Sequence, residues 1–202
     1  MTFKQTVLQE LLTLFRKEGL AHFTEQQVIN RVDISSATFK EFFKNMEDLV
    51  GQVVLYDIEV RKQEHELLFS KESSPLRKLL LIVKVGLENL SNSQPTLLKE
   101  MMETYPKVWN MYWERSNTYT VQLVHELLND GVVQGELRRD INIQLVTKIM
   151  IEQLSLVVNP NIFPPEKYNI AEVFRSIFLY YIRGLCADKG MKIAEDFFAS
   201  LK

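Results

Sequence analysis

The sequence predicts an all-α protein: a three-helix helix-turn-helix head followed by a larger C-terminal helical body, about nine or ten helices in all. Three observations carry this. Apolar residues recur at helical spacing through nearly the whole chain, and strand-like alternation is absent. The seven glycines and six prolines fall mostly at element ends. The stretch from Phe23 to Leu49 reads as two short helical segments around a tight polar break, with a third helix starting at once.

Taken in order, the first helix carries Leu11 and Phe15 and closes at Gly19. Thr24 with Gln27 three residues on is a capping box, which satisfies otherwise orphaned backbone N–H groups and starts the second helix. Val28 and Val32 lie one turn apart on its inner face. Asp33-Ile34-Ser35 breaks the helix, sends Ile34 inward and leaves Ser35 to cap the third helix, where Phe39 and Phe43 repeat the i, i+4 spacing. Asn45 caps the next helix, with Glu47 and Asp48 in its first turn. That fourth helix runs from about Met46 to Phe69 as a connector. Ser74-Pro75, Pro95 and Pro106 mark three further starts, Gly131 and Gly135 end a long helix, and Pro160, Pro164 and Pro165 lie in the one extended loop. The expected domains are 1–48, the helix-turn-helix, and 49–202, the larger helical body.

A chain of 202 residues with 46% hydrophobic content buries a sizeable core. Its net charge of −2 gives no general attraction for polyanions. Residues 1 to 50 carry six basic against seven acidic side chains, so the head has no basic footprint and any nucleic-acid contact depends on local placement. A single cysteine, Cys186, excludes an intramolecular disulfide and fits a reducing compartment. Lys4, Glu10, Arg16 and Lys17 interrupt any leader-like apolar run, and no segment approaches about twenty apolar residues, so a cytoplasmic protein without a membrane span is expected.

Catalytic signatures are lacking. His22, His65 and His125 are far apart, and no HExxH, Cys/His ligand spacing, Gly-rich phosphate loop, GxSxG elbow or CxxC occurs. His65, between Glu64 and Glu66, reads as part of a solvated helix face. The expectation is no enzyme, no metal and no cofactor.

The head resembles that of the TetR-like transcriptional regulators. Leu11, Phe15, Gly19, Thr24, Val28, Ile34-Ser35, Thr38-Phe39, Phe43 and Glu47-Asp48-Leu49 carry the match. GVVQGELRRDIN, Gly131 to Asn142, and YIRGLCADKG, Tyr181 to Gly190, resemble that family's helix-end and dimer-helix patterns, so the likeness covers nearly the whole chain. The chain also departs from the pattern. The family commonly has Gly at the position of Asp33, Lys at Ser36, Gly at Ala37, Tyr at Lys40 and Lys at Met46, and the Tyr and the second Lys are usual phosphate contacts. Reduced phosphate affinity is the implication.

From the short or basic outward residues of the head, Thr24, Gln26, Gln27, Ser35, Ser36, Thr38, Lys40 and Lys44 are expected to contact double-stranded operator DNA. Gln26 or Gln27 would read adenine, and Lys40 would contact phosphate or guanine. In the body, the run from Met101 to Trp113 is rich in Met and aromatic residues, which serve core packing and ligand pockets alike. The resemblance places an effector pocket here, with Met101, Met102, Tyr105, Trp109, Tyr112 and Trp113 lining it for a small hydrophobic or aromatic effector. Leu145, Ile149, Gln153 and Leu156 form one C-terminal stripe; Val173, Ile177, Tyr180, Tyr181 and Gly184 form another. By resemblance these two helices pair with their copies in a homodimer, giving a four-helix bundle. The function implied is a ligand-responsive repressor released by its effector. The alternative is a protein of the same fold that binds lipid or quinone and has lost DNA binding.

Overall fold

A computed structural model describes residues 2–93 and 96–199, and among these the chain forms ten α-helices. They are α1 (Phe3–Glu18), α2 (Glu25–Arg31), α3 (Ser36–Phe42), α4 (Met46–Phe69) and α5 (Pro75–Asn92), followed by α6 (Leu97–Thr104), α7 (Pro106–Val133), α8 (Ile143–Val157), α9 (Ile170–Leu185) and α10 (Asp188–Ala199). The connector, the starts at Pro75 and Pro106 and the closure of α1 at Gly19 fall where the sequence places them. The expected start at Pro95 lies outside the described residues.

The chain packs as two units. The first comprises Met1–Gln63 with Asn92–Ser116, and the second Glu64–Ser91 with Asn117–Lys202. The boundary expected at residue 48 falls inside α4, and packing carries the first unit further. Its core joins Leu11, Phe15, Val28, Phe39, Phe43 and Leu49 to Val53 of α4, Met101 of α6 and Val108 of α7. The second core is built from Leu76, Leu79, Leu80, Leu128, Leu137, Phe178 and Ile182.

In the second unit, the two motifs singled out in the sequence meet. Leu137 and Cys186 form an isolated antiparallel bridge, Arg138 N–H donates to the Leu185 carbonyl at 3.0 Å, and Ala187 N–H donates to the Glu136 carbonyl at 3.0 Å. The Glu136 side chain is 2% exposed and accepts from Ser74 Oγ and Leu76 N–H, both at 2.9 Å. It thereby satisfies an orphan amide in the first turn of α5. Gly135, at φ +69, provides the left-handed residue after α7 that lets the chain reverse.

His65 corrects the expectation of a solvated helix face. It is 8% exposed, its ring stacks 5.8 Å from those of Phe69 and Tyr119, and Nδ1 lies 3.0 Å from the Tyr119 hydroxyl. Glu64 and Glu66 are exposed, so the charged neighbours in sequence describe the other faces of α4.

Candidate nucleic-acid interface

The head is organised by its caps. Thr24 Oγ1 accepts from Gln27 N–H, and the Gln27 side-chain oxygen accepts from Thr24 N–H at 2.8 Å, completing the capping box. Ser35 Oγ accepts from Thr38 N–H at 3.0 Å and starts α3. Between them Asp33 takes φ +48, the left-handed conformation that Asp adopts more readily than most L-residues. The turn that re-aims the chain from α2 to α3 therefore uses Asp where the resemblance expects Gly.

The far end of α3 is tied down from two sides. The Phe42 carbonyl accepts from Lys4 Nζ at 3.3 Å and from Gln52 Nε2 at 3.0 Å. These bonds satisfy an orphan carbonyl at the helix C-terminus. Asp48 accepts from Lys44 N–H at 2.9 Å and from Gln52 Nε2 at 3.0 Å, and Asn45 Oδ1 accepts from Asp48 N–H at 2.9 Å, which starts α4. With Phe39 buried on its inner side, α3 leaves Ser36, Ala37 and Lys40 exposed.

The eight residues expected at DNA thus divide. Thr24, Gln27, Ser35 and Thr38 spend at least one polar atom on capping; Thr38 Oγ1 lies 2.8 Å from Ser35 Oγ. Gln26 Nε2 donates to Asn30 at 3.1 Å on the exposed face of α2. Ser36, Lys40 and Lys44 are exposed, and neither lysine makes an ion pair among the described residues. Of the other head cations, Arg16 pairs with Asp57 at 2.5 Å, Arg31 pairs with Glu18, and Lys4 lies 5.7 Å from the ring centres of Phe42 and Phe43. Half of the six cations are therefore engaged within the first unit. Sequence counting finds the charge deficit but not this internal use, because the partners depend on tertiary contacts. Met46, where the family commonly has Lys, packs against the head core.

The expected pocket residues lie in α6, at its C-cap and in the first part of α7. Met101 is buried in the first core, and Tyr105, Trp109 and Tyr112 pack against it. Trp109 stacks on Trp113 with ring centres 5.7 Å apart. Met102 is half-buried. The Tyr112 hydroxyl accepts from Arg61 at 2.8 Å, and Arg61 also pairs with Asp57 at 2.5 Å. None of the six borders a cavity of about 330 Å³ in the same unit, which is lined by Asn45, Glu47, Asp48, Gly51, Gln52, Leu55, Lys107, Val108 and Met111. Proximity in sequence did not select these lining groups, because α4 and α7 supply them jointly.

Two side chains link α6 and α1 to their surroundings, and sequence reasoning missed both. Asp57, 8% exposed, bridges Arg16 and Arg61. Glu100 accepts from Leu20 N–H at 2.6 Å, Ala21 N–H at 3.1 Å and Thr96 Oγ1 at 2.5 Å. Burial works to raise the Glu100 pKa, but these bonds and the nearby His22 prevail and hold it below its ordinary value.

In the second unit, α8 and α9 pack together, and the residues of the two expected stripes lie at different depths. Leu145 is 56% exposed, Leu156 39% and Tyr180 73%. Ile149, Val173, Ile177 and Tyr181 are half-buried, and a Cβ on exposed Gly184 would meet nothing within 4 Å. The oxygen of the Gln153 side chain is buried without a hydrogen-bond partner among the described residues.

These features define an all-α chain with a capped helix-turn-helix head and an uncovered apolar helix pair. Solved structures place that architecture. A TetR-family transcriptional regulator from Haloarcula marismortui matches with a TM-score of 0.72 at 16% identity, over 91% of this chain and 98% of that one. One from Agrobacterium tumefaciens matches with a TM-score of 0.69 at 18% identity over 91% and 98%. The transcriptional regulator FadR from Bacillus subtilis, solved in complex with stearoyl-CoA, matches with a TM-score of 0.62 at 14% identity over 91% and 100%. No protein-family model and no curated protein sequence matches the chain. The chain has the TetR-like fold. Among its described residues no helix is long and apolar enough to cross a membrane.

Proposed function

We propose that the protein is a homodimeric, ligand-responsive transcriptional regulator of the cytoplasm that binds operator DNA through α3 and is released from it by a small hydrophobic or aromatic effector. The observation that carries this reading is the presentation of α3. It is capped by Ser35, anchored at its end by Lys4 and Gln52, and turns Ser36, Ala37 and Lys40 outward. Short side chains allow backbone approach to the major groove, and Lys40 and Lys44 supply charge for phosphates. Two heads in a dimer act as a bivalent ligand, which offsets weak contacts in each. Effector binding lowers the population of dimers able to engage both half-sites. The Met and aromatic residues of α6 and α7 suit an apolar effector, in keeping with the acyl-CoA bound by the Bacillus subtilis regulator.

The internal pairing of Arg16 and Arg31 and the core position of Met46 favour a second reading, a TetR-fold lipid or quinone carrier without DNA binding. Fluorescence anisotropy on the DNA flanking the coding region, across a salt series with a scrambled duplex as control, separates the two. Specific binding that weakens with salt supports the regulator. Equal weak binding to both duplexes sinks it and favours the carrier.

A further inference from the structure

The carboxylate of Glu100 on α6 is spent on the turn between α1 and α2. Two of the turn's amides, Leu20 N–H at 2.6 Å and Ala21 N–H at 3.1 Å, converge on Oε2, while Thr96 Oγ1 at 2.5 Å holds Oε1. Glu100 makes no ion pair among the described residues, and its hydrogen-bonding partners are the two backbone amides and the Thr96 hydroxyl. Gly19 makes room for it. That residue has φ +83, and a Cβ there would stand 2.6 Å from Oε2. The neighbouring Met101 is buried in the same core as Phe15, Val28 and Phe39. A displacement of α6 must therefore either break two charge-assisted bonds or carry the turn, and the turn leads directly into the α2–α3 pair.

From this geometry we infer that Glu100 is a positioning residue for DNA binding: through it α6 sets the attitude of the α1–α2 turn and hence of the DNA-reading helix α3. The inference rests on the regulator reading above. It assigns this positioning role to one side chain of α6, outside the helix-turn-helix.

The test uses the full chain with Glu100→Ala and Glu100→Gln. Amide exchange at Leu20 and Ala21 is followed by NMR, with exchange in α5 and α9 as the check on folding, and operator binding is followed across a salt series. In Glu100→Ala, the two amides should exchange about tenfold faster with α5 and α9 unchanged. Operator affinity should fall about tenfold by the same amount at every salt concentration, because a population is lost and no phosphate contact is. Glu100→Gln, which keeps the size and one acceptor oxygen for the two amides but not the charge, should fall between Glu and Ala in both quantities; a Gln variant in which exchange and affinity do not move together would overturn the inference. Faster exchange with unchanged affinity would also overturn it, as would an altered salt slope or no change in either quantity. A wild-type chain that fails to distinguish operator from scrambled duplex would sink the regulator reading and this inference with it, while the exchange rates would still report the tether on its own.

Discussion

Gly190 and Glu136 approach so closely that a Cβ on residue 190 would overlap the Glu136 carbonyl oxygen. That carbonyl already accepts from Ala187 N–H at 3.0 Å, and Leu76 Cδ2 would stand 3.1 Å from the same Cβ. The backbone cannot withdraw without opening the junction between the α7–α8 turn and the start of α10. Gly190→Ala should therefore destabilise the protein by roughly 3 kcal/mol, the upper end of overpacking costs. Urea unfolding of the two proteins checks this; equal midpoints would show that the junction relaxes freely.

Gly184 makes the opposite case. Among the described residues nothing lies within 4 Å of a Cβ there, so Ala should favour α9 by roughly 0.5–1 kcal/mol through helix propensity alone. If a second copy covers this face, the added methyl occupies the contact and association weakens. We expect Gly184→Ala to raise the dimer dissociation constant in sedimentation equilibrium. Unchanged or tighter association would place the dimer contact elsewhere.

Asp33 sits at φ +48, and Gly adopts that conformation without steric strain. Asp33→Gly should be neutral to stabilising by up to about 1 kcal/mol, the relief being partly offset by the greater freedom of Gly in the unfolded chain. It also removes an exposed negative charge beside α3, so operator affinity should rise modestly at low salt. Thermal unfolding and anisotropy measure the two effects separately.

Lys40 is exposed and makes no ion pair among the described residues. Lys40→Ala should weaken operator binding and reduce the salt slope by about 0.9, the contribution of one neutralised phosphate. The slope is the deciding quantity, and an unchanged one would remove Lys40 from the phosphate contacts. Arg31→Ala, by contrast, removes a cation already paired with Glu18 and should leave the slope nearly unaltered.

Cys186 is buried, its thiol donating to the Ile182 carbonyl at 3.3 Å, and burial pushes its pKa up from 9.0 to about 11, with Arg183 opposing and Glu136 assisting. The folded state holds the proton more tightly than the unfolded one, so this contribution to stability is complete below pH 9 and is lost as pH rises toward about 11. Denaturation midpoints should fall over that interval, and Cys186→Ser should flatten the part of the fall due to the thiol. Alkylation of the native thiol should be slow at neutral pH.

Most of the fold was legible because its signals are local. A cap, a proline at a first turn and an i, i+4 apolar pair act over four residues, so Thr24 with Gln27, Ser35, Asn45 and Pro75 mark helix starts without any knowledge of their surroundings. On α8 and α9, periodicity alone does not set depth: Leu145, Leu156 and Tyr180 are exposed, whereas Val173, Ile177 and Tyr181 pack against the second core. His65 was misread because flanking glutamates report on adjacent faces of a helix, whereas its own face meets Phe69 and Tyr119, one of them 54 residues away.

By itself, then, the sequence determined the helices, their ends and which helix of the head faces outward, all consequences of hydrogen bonding and spacing within a few residues. Only the tertiary structure decided how the polar groups are used: that Arg16 and Arg31 are occupied, that Glu136 and Cys186 belong to one junction, and that Glu100 holds a turn 79 and 80 residues before it in the chain. A carboxylate or guanidinium carries no local mark of its partner. Its role follows from desolvation and from the donors or acceptors that packing brings to it, and these are non-local by nature.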